Sequence, residues 1–230
     1  MSTVEEAPVK MPRPRPPRRV DRAMLAMKSL VWGAALSPFA LLLWDAFNDG
    51  LGAEPIEEVT HRTGKTALVI LLCSLAVTPL RRVTGWNGAI RFRRLLGLFA
   101  FFYACLHFAT YLFDQELSPA YVVEDVVEHP YVTAGFVAFL LLVPLALTST
   151  QGMIRRLGKR WLKLHRLVYA AAALAVLHFV WLVKKDLTEP MIYAAVLSLL
   201  LAFRLPVVSG AKKPPPRLRP RPAPPPGPAG

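Results

Sequence analysis

Two histidines lie inside long apolar stretches of this sequence, where an ionisable side chain is unusual. His107 lies in RFRRLLGLFAFFYACLHFATYLFD, residues 91–114, and His178 lies in LHRLVYAAAALAVLHFVWLV, residues 164–183. An imidazole that loses water without gaining a partner costs a few kcal/mol, and intramembrane ionisable residues tend to face the bundle interior. Two facing imidazoles can bind a metal ion, relay protons, or only hydrogen-bond between helices. The sequence therefore predicts that these two histidines lie opposite each other.

The composition is that of a membrane protein. Apolar residues make up 54% of the 230 residues and gather into about six long runs, which is not the pattern of a soluble domain. The net charge of +13 comes from basic residues in the loops and tails, beside those runs. Membrane topology explains this placement better than nucleic-acid binding does, so we expect no nucleic-acid partner.

The predicted fold is an all-α membrane protein, a bundle of six transmembrane helices. About 20 apolar residues cross the hydrocarbon core as a helix. This criterion places spans at residues 29–47, 63–80, 95–113, 131–148, 164–183 and 190–208. The bundle, residues 29–208, is flanked by basic, proline-rich segments at residues 1–28 and 209–230, which are predicted to be disordered tails. In the last span, Arg204 and Pro206 shorten the apolar core, and Arg204 could reach the membrane interface.

The loops alternate in charge along the chain. Basic residues concentrate at 81–94, 155–163 and 212–221, whereas acidic residues concentrate at 49–58 and 114–128. Basic loops stay on the cytoplasmic side of a membrane. Both termini are therefore predicted to be cytoplasmic, in a multi-pass protein.

The same topology places the two histidines at one depth. Span three enters at about residue 95 and span five at about residue 164, so the rings lie about 18 and 21 Å along their helices. Level imidazoles suit a b-type haem, whose iron takes one ring nitrogen from each side and whose macrocycle needs small neighbours. Residues expected beside the rings are Ala100, Tyr103, Ala104, Tyr111, Ala171 and Ala175. Hydrogen bonds between helices, with alanines that only allow close packing, remain the alternative.

A second set of polar residues lies nearer the basic loops. His165 precedes His178 by 13 residues, and Arg93 precedes His107 by 14 on nearly the same helix face. His165 could bind an inner haem, and Arg93 could pair with a haem propionate or a flavin phosphate. The alternative is that both are interfacial residues. His61 and His129 are predicted to be interfacial, and Cys73 and Cys105 to be small core residues.

Four successive blocks carry a family resemblance. TGKTALVILLCSLAVTPLRR, RFRRLLGLFAFFYACLHFATYLFDQ, HPYVTAGFVAFLLLVPLALTST and RRLGKRWLKLHRLVYAAAALAVLHFVWLVK resemble, in order and nearly without gaps, the MsrQ family, also called YedZ. That family supplies the haem-binding membrane subunit of the bacterial periplasmic protein-methionine-sulfoxide reductase system and is related to the ferric-reductase transmembrane domain. The resemblance covers residues 63–184.

The resemblance implies a cytochrome b-type electron carrier in the bacterial inner membrane. Electrons would enter from the quinone pool or a cytoplasmic flavin reductase, pass through haem b, and reach a periplasmic molybdenum-cofactor subunit that reduces methionine sulfoxide. The sulfoxide chemistry would belong to that partner, and His165 would be associated with haem. The family also implies FMN, but the sequence has no glycine loop to hold its phosphate.

The competing hypothesis is a haem-free transporter or channel that uses the histidines as a proton relay. Such a protein would favour internal repeats or matched broken helices, and the sequence shows no convincing repeat. Haem absorbance in the purified protein decides between the two hypotheses.

Overall fold

The computed structural model describes residues 22–183 and 186–204, and this part of the chain is built of helices without strands. The remainder of the two predicted tails, residues 1–21 and 209–230, lies outside the described residues. The helices are α1 (Arg22–Phe47), α2 (Pro55–Thr84), α3 (Ile90–Asp114), α4 (Pro119–Glu128), α5 (Pro130–Leu147), α6 (Gln151–Leu157), α7 (Lys159–Leu164), α8 (Leu167–Leu182) and α9 (Thr188–Ala202). A 3-10 turn, Asn87–Ala89, precedes α3.

Helix α1 belongs to a compact unit of its own, Met1–Gly52. It begins at Arg22, so residues 22–28 are helical and not part of a disordered tail as the sequence predicted. Pro38 lies inside the helix and cannot donate a hydrogen bond to the carbonyl of Ala34. The Ser37 hydroxyl donates to that carbonyl at 3.0 Å instead, which keeps the freed oxygen paired.

The second unit, Ala53–Gly230, contains two closely packed helix pairs. Helix α2 packs along α3, and α5 packs along α8. The pairs meet where α3 contacts α5 and α2 contacts α8, and α9 packs against α8 and α2. Leu75, Ala100, Tyr103, Ala171 and Ala172 are buried at these contacts. Both predicted histidines therefore lie on helices at the junction of the two pairs.

Within the described residues, five helical segments are long and apolar enough to cross a membrane. They correspond to the first five predicted spans, with the fifth formed by Lys159–Leu182. The predicted sixth span matches α9, whose 15 residues make a shorter apolar helix, and residues 205–208 lie outside the described part. The sixth crossing and the orientation of the termini remain predictions. Cys73 is exposed, so its predicted place in the core is wrong.

A short helix that the sequence analysis did not predict occupies the acidic loop. Helix α4 is tied to α3 by the Tyr111 hydroxyl, which donates to Asp125 Oδ2 at 2.7 Å. His129 Nδ1 lies 2.8 Å from Asp125 Oδ1, and the Thr133 hydroxyl donates to the Val126 carbonyl at 2.5 Å. These bonds fix α4 across the ends of α3 and α5.

Candidate functional site

His107 on α3 and His178 on α8 lie opposite each other, as the sequence predicted. Their ring centroids are 6.2 Å apart, and the ring planes meet at 71°. Both side chains are half-buried. The Tyr131 ring lies beside His178, with its centroid 6.3 Å away and its plane tilted by 29°.

Each ring is fixed by one backbone carbonyl. His107 Nδ1 lies 2.8 Å from the Thr60 carbonyl oxygen on α2, and His178 Nδ1 lies 2.7 Å from the Tyr131 carbonyl oxygen on α5. A carbonyl oxygen only accepts, so Nδ1 must carry the proton in both rings. A neutral ring then keeps its lone pair on Nε2, the nitrogen that a metal ion can take. The arrangement therefore prepares two neutral imidazoles for coordination.

Two glycines make room for these rings. A Cβ built on Gly64 would lie 2.8 Å from His107 Nδ1, and a Cβ built on Gly135 would lie 2.8 Å from His178 Nδ1. Real Cβ atoms essentially never come within 3.0 Å of such atoms. Glycine inside a helix costs about 1 kcal/mol relative to alanine. Both helices bear this cost at the turn where a histidine approaches.

The two helix pairs repeat one arrangement at a constant interval. His178 follows His107 by 71 residues, and the same interval separates Gly135 from Gly64. Each histidine also bonds to the carbonyl 47 residues before it. The structure therefore contains a repeated arrangement, and the interpretation that the sequence has no convincing repeat is wrong in this respect. The signal was present as LHF at residues 106–108 and 177–179, with a glycine 43 residues before each histidine.

The separation of the rings fits an iron held by both. A metal–imidazole bond is about 2 Å long and each ring nitrogen lies about 1 Å from its centroid, so the two centroids would stand roughly 6 Å apart. The observed 6.2 Å agrees with this distance. The described residues contain no group of three or more His, Cys, Asp or Glu side chains that could hold a bare metal ion. Two protein ligands suffice when a macrocycle supplies the others, as in haem.

The small residues predicted beside the rings have two different environments. Ala100 and Ala171 are 1% and 0% exposed, so they serve close packing between helices. Ala104 and Ala175, nearer the histidines, are only half-buried. Small side chains at these positions keep the space beside the rings open.

His61 lies close to the histidine pair at the exposed end of α2. Its ring contacts Phe179 edge-on, with centroids 6.3 Å apart, and it is near enough to His107 to interact with it electrostatically. Phe179 follows His178 directly in the sequence. His129 lies apart from this cluster and pairs with Asp125. The sequence predicted interfacial positions for both histidines and did not indicate that His61 lies near the pair.

His165 lies in the turn between α7 and α8, not within the helix that carries His178. Its ring stacks on Trp161, with centroids 3.8 Å apart, and its Nδ1 lies 3.2 Å from the Trp161 carbonyl oxygen. Its Nε2 is 3.5 Å from the Ser149 hydroxyl, at the limit of a hydrogen bond. The sequence placed both histidines in one predicted span, residues 164–183, whereas the structure interrupts the helix between them.

Basic side chains surround this end of the bundle. Arg93 on α3 is near enough to His165 to interact with it electrostatically, as is Arg204 with Arg93. The Arg204 guanidinium lies over the Tyr169 ring, 4.6 Å from its centroid, and donates to the Tyr169 hydroxyl. Arg204 therefore has partners on α2 and α8, and its reach to the membrane interface stays a prediction. His165 and Arg93 thus lie within electrostatic range of each other, apart from the histidine pair.

Comparison with known proteins agrees with this architecture. The model of the family "Ferric reductase like transmembrane component" matches residues 63–176. The chain is 50% identical over 194 residues to the protein-methionine-sulfoxide reductase heme-binding subunit MsrQ of Xanthomonas axonopodis pv. citri (strain 306), covering 81% of this chain and 89% of the relative. It is 50% identical over 196 residues to MsrQ of Herminiimonas arsenicoxydans, covering 84% and 88%. No solved structure matches significantly. The chain therefore belongs to the MsrQ family.

Proposed function

We propose that this chain is a membrane electron-transfer subunit that holds a b-type haem between His107 and His178. The observation that carries the proposal is the facing of two imidazoles at 6.2 Å, each with its Nδ1 bonded to a backbone carbonyl. When bound, haem supplies an iron that takes up and releases one electron. The names of the MsrQ relatives, which specify heme binding, support this cofactor.

The residues around the pair hold the ligands in place. The carbonyls of Thr60 and Tyr131 fix the ring orientation and increase the basicity of Nε2, as outer partners of metal-binding histidines do. Each ring links two helices through its hydrogen bond, His107 linking α3 to α2 and His178 linking α8 to α5. Rigid positioning of this kind keeps the surroundings of the iron similar in both oxidation states.

Electrons would cross the bundle from its basic end to its acidic end. The quinone pool or a cytoplasmic flavin reductase would donate electrons near His165 and Arg93. The basic charge of the neighbouring loops indicates that this end faces the cytoplasm. The acceptor would be a periplasmic molybdenum-cofactor methionine-sulfoxide reductase, outside the bacterial inner membrane. His61, exposed and in contact with Phe179, lies near the N-terminal end of α2, which follows the acidic loop at residues 49–58. FMN is implied by the family resemblance alone.

The basic end offers polar groups for an electron-entry site. Arg93 presents a guanidinium to a propionate or phosphate, and His165 a ring nitrogen for a ligand or hydrogen bond. Their proximity supports this assignment. His165 and Arg93 thus complete the proposed set of cofactor-binding residues with His107 and His178.

The haem-free proton relay is less consistent with the geometry. A relay passes a proton in at one ring nitrogen and out at the other. Here each Nδ1 contacts a backbone carbonyl, which has no proton to exchange. The geometry therefore favours ligands over a relay.

The proposal is tested by absorbance spectra of His107→Ala and His178→Ala in the purified full chain. Each variant is expected to lose the low-spin b-type spectrum, because one axial ligand is missing. His61→Ala and His129→Ala serve as controls and should keep it. A normal spectrum in both of the first two variants would show that the assignment of the ligands is wrong.

A further inference from the structure

We propose that Gly64 and Gly135 are positioning residues for the two histidine ligands, an inference that rests on the proposed haem site. Each glycine lies four residues after the carbonyl that its histidine contacts, Thr60 for His107 and Tyr131 for His178. The absence of a side chain at these two positions sets the angle at which each imidazole faces the iron.

The local geometry of a helix explains why the residue must be glycine. In an α-helix the carbonyl of residue i points toward residue i+4, and the Cα–Cβ bond of residue i+4 leans back toward the helix N-terminus. A ring that donates to the carbonyl of residue i from outside therefore occupies the volume of the Cβ of residue i+4. Cβ atoms on Gly64 and Gly135 would meet the ring carbon Cε1 at 2.9 and 3.0 Å, respectively.

The close approach is specific to the histidine turns and is not a general feature of glycines in this bundle. A Cβ on Gly97, inside α3, would have its nearest contact at 3.7 Å, with the Ser74 hydroxyl oxygen. A Cβ on Gly152 would meet nothing within 4 Å. The same contact arises independently in both helix pairs, at matched positions, which a chance packing defect would not produce.

An added methyl group cannot be accommodated by a small shift. The atom it meets belongs to a ring bonded to the backbone and facing a second ring, and the glycine lies on the helix backbone itself. Alanine at either position would push the imidazole away from its carbonyl. The displaced ring would lose the orientation of Nε2 that coordination requires.

The first experiment compares Gly64→Ala and Gly135→Ala with Gly97→Ala in the purified holoprotein. The parent and Gly97→Ala should be six-coordinate and should not bind carbon monoxide after reduction. Each of the first two variants should bind carbon monoxide and show an altered ferric electron paramagnetic resonance spectrum, because one ligand is weakened. Parent-like spectra and no carbon monoxide binding in both variants would overturn the inference.

A second experiment uses the haem-free protein and separates this inference from the proposed function. Gly64→Ala should lower the apparent unfolding temperature of the parent chain. In the His107→Ala background the same change should leave it unchanged or raise it, since the ring is absent and alanine favours helix. Gly135→Ala should behave in the same way with His178→Ala. An equal decrease in both backgrounds would overturn the positioning role, whether or not the histidines bind haem.

Discussion

Arg204 Nη2 donates a hydrogen bond to the Leu75 carbonyl oxygen across 3.1 Å, from the end of α9 to the middle of α2. Pro79 lies inside α2 and leaves this carbonyl without its usual N–H partner. An unpaired carbonyl in a membrane helix costs several kcal/mol, so the arginine compensates for the proline. A basic side chain in an apolar segment thus has a structural purpose as well as an electrostatic one.

The first prediction tests this compensation with a double-mutant cycle. Arg204→Met keeps the aliphatic stem but removes the donors, and should destabilise the protein by about 1–3 kcal/mol. In the Pro79→Ala background, the alanine backbone can supply the missing N–H, so the same substitution should cost less. Apparent unfolding temperatures in detergent measure both effects. Equal costs in the two backgrounds would contradict the pairing.

The second prediction concerns the angle between the ligand rings. Imidazole planes that meet at 71° are nearly perpendicular, and perpendicular axial imidazoles give a highly anisotropic low-spin ferric signal. We expect this signal in frozen oxidised holoprotein by electron paramagnetic resonance, and also in the control His129→Ala. An ordinary rhombic signal would indicate parallel rings and contradict the geometry.

The third prediction concerns the site near His165. His165→Ala should slow haem reduction by a donor added on the cytoplasmic side, or remove part of the haem signal, while the His107 and His178 spectrum persists. Arg93→Lys should be partly tolerated, because lysine keeps the charge but loses the planar fork. Stopped-flow reduction in membrane vesicles measures the rate, with the exposed Arg94→Lys as a control. Parent-like rates and haem content in both variants would leave His165 and Arg93 as interfacial residues.

The fourth prediction concerns topology, which follows from the charge of the loops. Reporter fusions after Asp49 and Gln115 should report the periplasm, and fusions after Trp86, Lys159 and Gly210 the cytoplasm. The pair of fusions at Trp86 and Gln115 brackets α3 and serves as an internal control. A cytoplasmic result at Gln115 would reverse the proposed direction of electron flow.

The fifth prediction concerns the attachment of α4. Asp125→Ala removes the acceptor shared by Tyr111 and His129, and a hydrogen bond to a charged group contributes about 1.5–3 kcal/mol. Amide hydrogen exchange in α4 should therefore become about tenfold faster or more. Glu124→Ala, at an exposed position on the same helix, is the matched control. Unchanged exchange after Asp125→Ala would show that other contacts hold α4.

The histidine pair could be predicted from the sequence because its cause is local. Two imidazoles at a similar depth in apolar helices both need polar partners. Each was therefore the most plausible partner of the other. The glycines could not be predicted in the same way. A glycine such as Gly64 can allow a turn, a close helix contact or the approach of a ring. Which of these applies depends on the neighbouring side chain, and here that side chain, His107, comes from a different helix.

The helix boundaries show the same limit. The long apolar runs gave five of the spans, since hydrophobic length decides membrane crossing. The break at His165 and the partners of Arg204 could not be predicted from these runs. Tyr169, a partner of Arg204, lies on another helix 35 residues away in the sequence, and Ser149, which approaches His165, lies between helices 16 residues before it.

The repeated arrangement around the two histidines has a consequence for the cofactor itself. The two histidine rings have matching surroundings, because each has an Nδ1–carbonyl hydrogen bond and a glycine beside it. Protohaem lacks that equivalence, because its vinyl and methyl groups are ordered differently on its two faces. Residues that differ between the two pairs, such as Thr60 and Tyr131, then distinguish the two ways of inserting it. We therefore expect two insertion isomers, seen as two sets of shifted methyl resonances in the proton magnetic resonance spectrum.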